Sequence, residues 1–164
     1  KMSFRNKLKD KILTKEQAKE HITHLRALDK KIVFTNGCFD LLHPGHVDYL
    51  SQARDLGDFL ILGLNTDVSV KKLNKAPNRP VNNEAARATV LAALGCIDGI
   101  VFFDEETPYE LIKFLAPDIL VKGSDYSVEQ IAGNDIVISR GGKVLTVPLL
   151  EGFSTTNLIR KIKS

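Results

Sequence analysis

Between residues 31 and 162, short apolar, β-branched runs alternate with stretches of helical spacing. That alternation restricts the chain to an α/β fold built on a parallel sheet. Ile32-Val33-Phe34-Thr35 is the first run, and a turn containing Asn36-Gly37 follows it. Residues 47–56 have helical spacing, with Gly57 as the stop. Residues 59–64 are continuously apolar, as in strands buried on both faces. Residues 65–83 read as a polar, basic loop, and 84–94 as a helix stopped by Gly95. Runs at 99–103, 119–121 and 144–147 complete five predicted strands. Thr107-Pro108-Tyr109-Glu110 predicts a capping box with proline at the first helical position, for a helix ending before Pro117. Ser127 is placed to cap a short helix to Ala132, and Ser154 a final helix over 155–162. Right-handed crossovers then give a doubly wound, five-stranded parallel sheet, whose ligands bind at the carboxyl ends of the strands.

Residues 1–30 read as an N-terminal helical extension, set before a domain spanning 31–164. Thr14 and Gln17 form a capping-box pattern, and Ala18, Ile22, Leu25 and Leu28 make one apolar face. That face is expected against the domain or a neighbouring subunit. Lys1 to Lys11, the densest basic stretch, reads as a solvated lead-in. The net charge of +3 is spread along the chain and argues against a nucleic-acid partner. Cys38 and Cys96 form no CxxC pattern and are expected as free thiols. No apolar run reaches the roughly 18 residues of a membrane span, and the N-terminus has no signal-type apolar stretch. A cytoplasmic protein without membrane contact is the expectation.

The strand-to-helix loops carry the chemistry. The first reads Thr35-Asn36-Gly37-Cys38-Phe39-Asp40-Leu41-Leu42-His43-Pro44-Gly45-His46. Three residues apart at a helix start, His43 and His46 share a face. Two imidazole donors beside free helix N–H groups make a phosphate-binding and charge-stabilising site. Gly45 leaves room for a phosphate, and Pro44 fixes the turn. The same spacing also suits capping or core histidines, or a metal site with Asp40 or Cys38 as third ligand. His21 and His24, on the predicted N-terminal helix, read as surface residues.

Thr35 to Asp40 with His43-Pro44-Gly45-His46 resembles the cytidylyltransferase-like nucleotidyltransferase superfamily. Within it, the chain is most similar to the adenylyltransferase domain of bacterial ADP-heptose synthesis enzymes. The resemblance covers residues 31–162. It includes Asn65-Thr66-Asp67, Arg79-Pro80-Val81, the segments 120–126 and 131–133, and Gly152-Phe153-Ser154-Thr155-Thr156-Asn157. Ser124 departs from it, since many members have glycine there.

That resemblance implies a Rossmann-like sheet of the nucleotidyltransferase type and transfer of AMP from ATP to a sugar 1-phosphate, giving ADP-heptose and pyrophosphate for lipopolysaccharide or another surface glycan. It places Thr35, Asn36, Gly37, Phe39 and Gly45 at the nucleotide. It places Asp40, Asn65, Asp67 and Arg79 near the substrates and lets Arg87 orient the site. Taken alone, Asn65 and Asp67 also fit an Asx turn or cap, and Arg87 could pair with Glu84 on one helix face. Lys71, and less strongly Lys72, would neutralise the β- and γ-phosphates. Lys122 leaves a buried strand at the ligand end as a catalytic cation, and Asp125 and Tyr126 would bind sugar hydroxyls or adenine. Ser154, Thr155 and Thr156 would cap the last helix and hold phosphate.

Mg2+ is expected to enter with ATP, held by phosphate oxygens and water rather than protein side chains. A homo-oligomer is expected. The sugar-kinase domain fused to this activity in some bacteria has no room in 164 residues, so a separate kinase is expected. The competing readings are a glycerol-phosphate cytidylyltransferase, a phosphopantetheine adenylyltransferase, or a non-catalytic nucleotide-binding module.

Overall fold

The computed structural model describes residues 2–164, so Lys1 of the basic lead-in lies outside the described residues. Eight α-helices and six strands follow one another among them. They are α1 (Phe4–Lys9), β1 (Ile12–Leu13), α2 (Lys15–Ala27), β2 (Ile32–Gly37), α3 (Pro44–Asp55) and β3 (Phe59–Asn65). Then come α4 (Asp67–Lys72), α5 (Glu84–Ala92), β4 (Gly99–Phe103), α6 (Tyr109–Leu115) and β5 (Ile119–Gly123). A 3-10 turn (Val128–Gln130), α7 (Asn134–Ser139), β6 (Lys143–Val147) and α8 (Thr155–Lys163) complete the order.

The sheet order is β1-β4-β3-β2-β5-β6, with every pairing parallel. β2 lies between β3 and β5, so the chain reverses direction across the sheet at β2 and β5, the switch point where such folds bind ligands. Side chains alternate between two cores. Val33, Leu60, Leu62 and Leu64 face Leu50, Ala53, Ala88 and Leu91 of α3 and α5. Ile32, Phe34, Ile61 and Leu120 face Ala18, Ile22, Ile112 and Val137 on the opposite side. This two-residue period is why the β3 run is apolar throughout. Asp58, Asp98 and Asp118 each accept an N–H from a strand or the residue before it, those of Lys31, Leu60 and Ile32. They tie the amino ends of the strands together, opposite the site.

Four expectations need correction. The sheet has six strands, because Ile12–Leu13 pairs with β4 at the edge. The N-terminal residues therefore contribute to the sheet, and the apolar face of α2 packs on it through Ala18 and Ile22. The Thr14–Gln17 capping box is formed. Residues 65–83 are not all loop, since α4 occupies Asp67–Lys72 with Thr66 as its N-cap. Pro108 is the N-cap of α6, with no side-chain cap bond, so Thr107 makes no capping box. The α3 helix starts at Pro44, earlier than residue 47, because proline at the first helical position needs no N–H partner.

Candidate active site

The loops after β2 and β5, the first turn of α3, the 75–79 segment and the residues entering α8 enclose a cleft of about 580 Å3. It lies at the carboxyl ends of the strands, at the switch point. Gly37 and Gly123 close the two central strands there. A β-carbon on Gly37 would meet Phe39 Cε2 at 2.6 Å, and one on Gly123 would meet Asp125 Oδ1 at 2.7 Å.

His43 is the N-cap of α3 in extended conformation, and His46 is in the first turn. Their imidazoles stack with centroids 3.8 Å apart and an interplanar angle of 23°. Each Nδ1 is buried without a hydrogen-bond partner. The Nε2 edges are therefore the ones left for a ligand. Burial lowers both imidazole pKa values. For His46 the value falls to about 4, through burial first and then the nearby His43 and Lys75. Both rings are neutral near pH 7, and each can offer one N–H to an anion without charge repulsion between them. Among the described residues no group of three His, Cys, Asp or Glu side chains could hold a metal ion. Cys38 and Asp40 do not complete a metal set with the pair.

The cations around this pair differ from those expected. Lys122 Nζ donates to the carbonyl of Asn36 at 3.3 Å and lies 5.0 Å from the Tyr126 ring centroid. Burial lowers its pKa, opposed by Asp125 and Cys38. Lys75 lines the cleft, its Nζ 3.5 Å from Cys38 Sγ. Lys71 and Lys72 do not line it: they are exposed at the end of α4, and Lys72 Nζ caps the carbonyl of Asp104. Helix formation over 67–72 turns both away, and the chain beyond carries Lys75 back over the cleft. Asp125 and Tyr126 line the cleft, as do Ser154, Thr155 and Thr156 at the start of α8. Ser154 Oγ accepts from Asn157 N at 3.0 Å, and Thr155 donates to the carbonyl of Leu41.

Several expected ligand residues are engaged within the protein. Thr35 is fully buried, donating to the carbonyl of Val121 and sharing a hydrogen bond with the Tyr49 hydroxyl at 2.6 Å. Burial pushes the Tyr49 hydroxyl up to about 12, and with Thr35 donating to the carbonyl its single proton goes to Thr35 Oγ1. Asp40 accepts from Arg79 Nε, Val81 N and Asn82 N. Asn65 donates to Ser69. Asp67 accepts from Arg87 at 2.8 Å.

The Arg87–Glu84 pairing is replaced by a different arrangement. Arg87 is 2% exposed and donates to the carbonyls of Cys38, Asn65 and Asn82 as well as to Asp67. Glu84 instead accepts from Asp67 N. A buried guanidinium needs its donors satisfied, and only the inner loops offer enough acceptors. Arg87 thus stays outside the cleft and braces its floor.

Tyr49, Lys75, Leu149, Leu150 and Phe153 line the cleft but lay outside the sequence-based assignment, and of these Lys75 and Phe153 bear most on the site. Lys75 was visible as one basic residue of its loop, but without the α4 boundary nothing selected it over Lys71. Phe153 lies within the quoted Gly152-Phe153-Ser154 segment, where no residue type signals its contact with His43 at 6.2 Å between ring centroids.

The chain is similar to known proteins. The cytidylyltransferase-like family model matches residues 34–161. The chain is 57% identical over 94% of its length to the bifunctional protein HldE of Caulobacter vibrioides, and it covers 32% of that protein. It is 55% identical over 93% of its length to the same-named protein of Syntrophotalea carbinolica, covering 31% of it. The chain thus spans about a third of the length of these relatives. A lipopolysaccharide core biosynthesis protein from Thermoplasma volcanium superposes with a TM-score of 0.59 at 24% identity, over 74% of this chain and 97% of that one. A pantoate-beta-alanine ligase from Francisella tularensis, solved in complex with beta-gamma ATP and beta-alanine, gives a TM-score of 0.58 at 16% identity, over 93% of this chain and 76% of that one. These two likenesses establish the fold alone. No helix among the described residues is long and apolar enough to cross a membrane. With a parallel sheet of this order, a histidine pair at its switch point and a family match over most of its length, the chain belongs to the cytidylyltransferase-like family of nucleotidyltransferases.

Proposed function

We propose that the cleft binds ATP and transfers its AMP to a sugar 1-phosphate, releasing pyrophosphate. The acceptor we favour is a heptose 1-phosphate, because the segment Lys122-Gly123-Ser124-Asp125-Tyr126 resembles that branch of the superfamily. The observation that carries the reading is the stacked His43–His46 pair, held neutral by burial, in one cleft with Lys75 and Lys122. A phosphate oxygen of the acceptor is already ionised near pH 7 and needs no general base. It attacks the α-phosphorus in line, the bond to the bridging oxygen breaks, and pyrophosphate leaves with that electron pair. Catalysis then consists of positioning and charge stabilisation. His43 and His46 donate to oxygens on the α-phosphate and the leaving bridge. Lys122, Lys75 and the N–H groups opening α8 hold the remaining charge.

The protein groups left uncompensated in the cleft are mostly cationic, with Asp125 as the exception, which suits a divalent ion such as Mg2+ carried by the phosphates and water. That ion would offset negative charge on the triphosphate. A cytoplasmic location, where ATP is available, follows from the same reading.

Pyrophosphate release tests it. ATP with heptose 1-phosphate is expected to turn over well and CTP poorly. Equal rates with CTP, or preference for glycerol phosphate or phosphopantetheine as acceptor, would remove the assignment.

A further inference from the structure

A catalytic histidine is ordinarily oriented by a hydrogen bond at its second ring nitrogen. Neither His43 nor His46 has one, because both Nδ1 atoms are buried and unpartnered. Their orientation has another source. Phe39 meets His46 edge-on, with centroids 5.1 Å apart and planes at 61°. His46 stacks on His43 at 3.8 Å, and His43 stacks on Phe153 at 6.2 Å and 17°. The four rings form one column running from the loop after β2 to the entrance of α8. These distances lie at or near the range in which aromatic pairs attract beyond their buried area.

The backbone is built around this column at both ends. Phe39 holds a left-handed backbone, φ 47°, which a residue with a bulky side chain seldom adopts. Arg87 anchors the preceding carbonyl, that of Cys38, at 2.8 Å. A β-carbon on Gly37 would strike the Phe39 ring. At the other end, a β-carbon on Gly45 would stand 2.9 Å from His43 Cε1 and 3.3 Å from Phe153 Cβ.

We propose that Phe39 and Phe153 are positioning residues that clamp the imidazole pair from its two ends and aim both Nε2 edges into the cleft. This rests on the reading that the pair acts at the α-phosphate. Phe153 also joins His43 directly to Ser154–Thr156, so the histidines and the helix-start N–H groups are placed by one packed unit.

Phe153 is 45% exposed, so its replacement should leave the fold intact. The test compares Phe153→Ala, Phe153→Leu and Phe153→Tyr in the full chain. It reads kcat and KM for pyrophosphate release and the imidazole titrations by NMR without nucleotide. Phe153→Ala and Phe153→Leu are expected to lose about 10- to 100-fold in kcat, the scale of a misplaced reacting group. KM for ATP should change far less, and Phe153→Tyr should retain the rate. In Phe153→Ala the His43 titration should move up toward its ordinary value of 6.5, and in Phe153→Tyr it should stay low. An unchanged kcat in Phe153→Ala, or a leucine variant as fast as the tyrosine one, would overturn the proposal. Should the unmodified protein transfer no AMP to any acceptor, the catalytic reading fails by itself. The titration of His43 then decides the clamp: a shift in Phe153→Ala that Phe153→Tyr reverses supports it, and its absence removes it.

Discussion

Arg79 Nε donates to the Asp40 carboxylate across 2.6 Å, with the Asp40 side chain fully buried and that of Arg79 10% exposed. Burial alone would raise the Asp40 pKa, but the N–H groups of Asn82 and Val81 and the Arg79 guanidinium outweigh it and hold the carboxyl below its usual range. Both oxygens are occupied by protein donors. Asp40 therefore latches the segment that carries Lys75 to the loop that carries the histidines.

Asp40→Ala removes the partner of a mostly buried guanidinium and leaves two N–H groups without an acceptor. Loss of about 3–5 kcal/mol in unfolding free energy is expected, measured by urea denaturation at pH 7. A change within about 0.5 kcal/mol, ordinary for a surface site, would contradict the latch.

Arg87→Met strips donors from the buried carbonyls of Cys38 and Asn65, from the part-buried carbonyl of Asn82 and from Asp67. A cost of about 3–5 kcal/mol is expected, a large share of a typical domain's stability. Arg87→Lys should recover little of it, since an ammonium cannot reproduce the planar fork. Thermal unfolding of both variants gives the answer, and near-native stability in the lysine variant would show that charge alone suffices there.

Burial holds the folded-state pKa of His46 at about 4, below its ordinary value of 6.5. Between those values the unfolded chain binds more protons than the folded one, so stability rises with pH through this window and levels off above it. The Asp40 contribution is intact above its ordinary pKa of 3.8 and fades only below it, outside the window. Tm should therefore fall as pH drops from 7 to 4.5, and His46→Gln should flatten that fall. Equal slopes in both proteins would mean that His46 is not held neutral by burial.

The lysines separate by position. Lys75→Ala and Lys122→Ala should raise KM for ATP or lower kcat by about tenfold or more, as expected for losing a charge-assisted hydrogen bond worth about 1.5–3 kcal/mol. Lys71→Ala should do neither. Steady-state pyrophosphate release measures all three, and the reverse ranking would return the phosphate contact to Lys71.

Much of this site is legible in the amino-acid sequence because it is local. His43, Pro44, Gly45 and His46 lie within one helix start, and β2, β3 and β4 announce themselves by apolar runs long enough to be buried on both faces. What was hidden depends on distant partners or short elements. Ile12–Leu13 is too short to show a period, and its strand exists only because β4 offers an edge. Asn134–Ser139 contains Ile136, Val137 and Ile138, poor helix formers, and forms α7 because Val137 packs in the core. Arg87 has a local candidate partner in Glu84, yet its acceptors come from three separate loops. Thr35 and Asp40 belong to the loop motif, but only the tertiary structure shows their polar atoms turned to the protein.

The most direct test is a crystal structure with a non-hydrolysable ATP analogue and Mg2+. The α-phosphate is expected within hydrogen-bond distance of Nε2 of His43 or His46, with Lys75 and the first turn of α8 on the outer phosphates. A nucleotide bound away from the switch-point cleft, or a histidine pair turned from the phosphates, would contradict this.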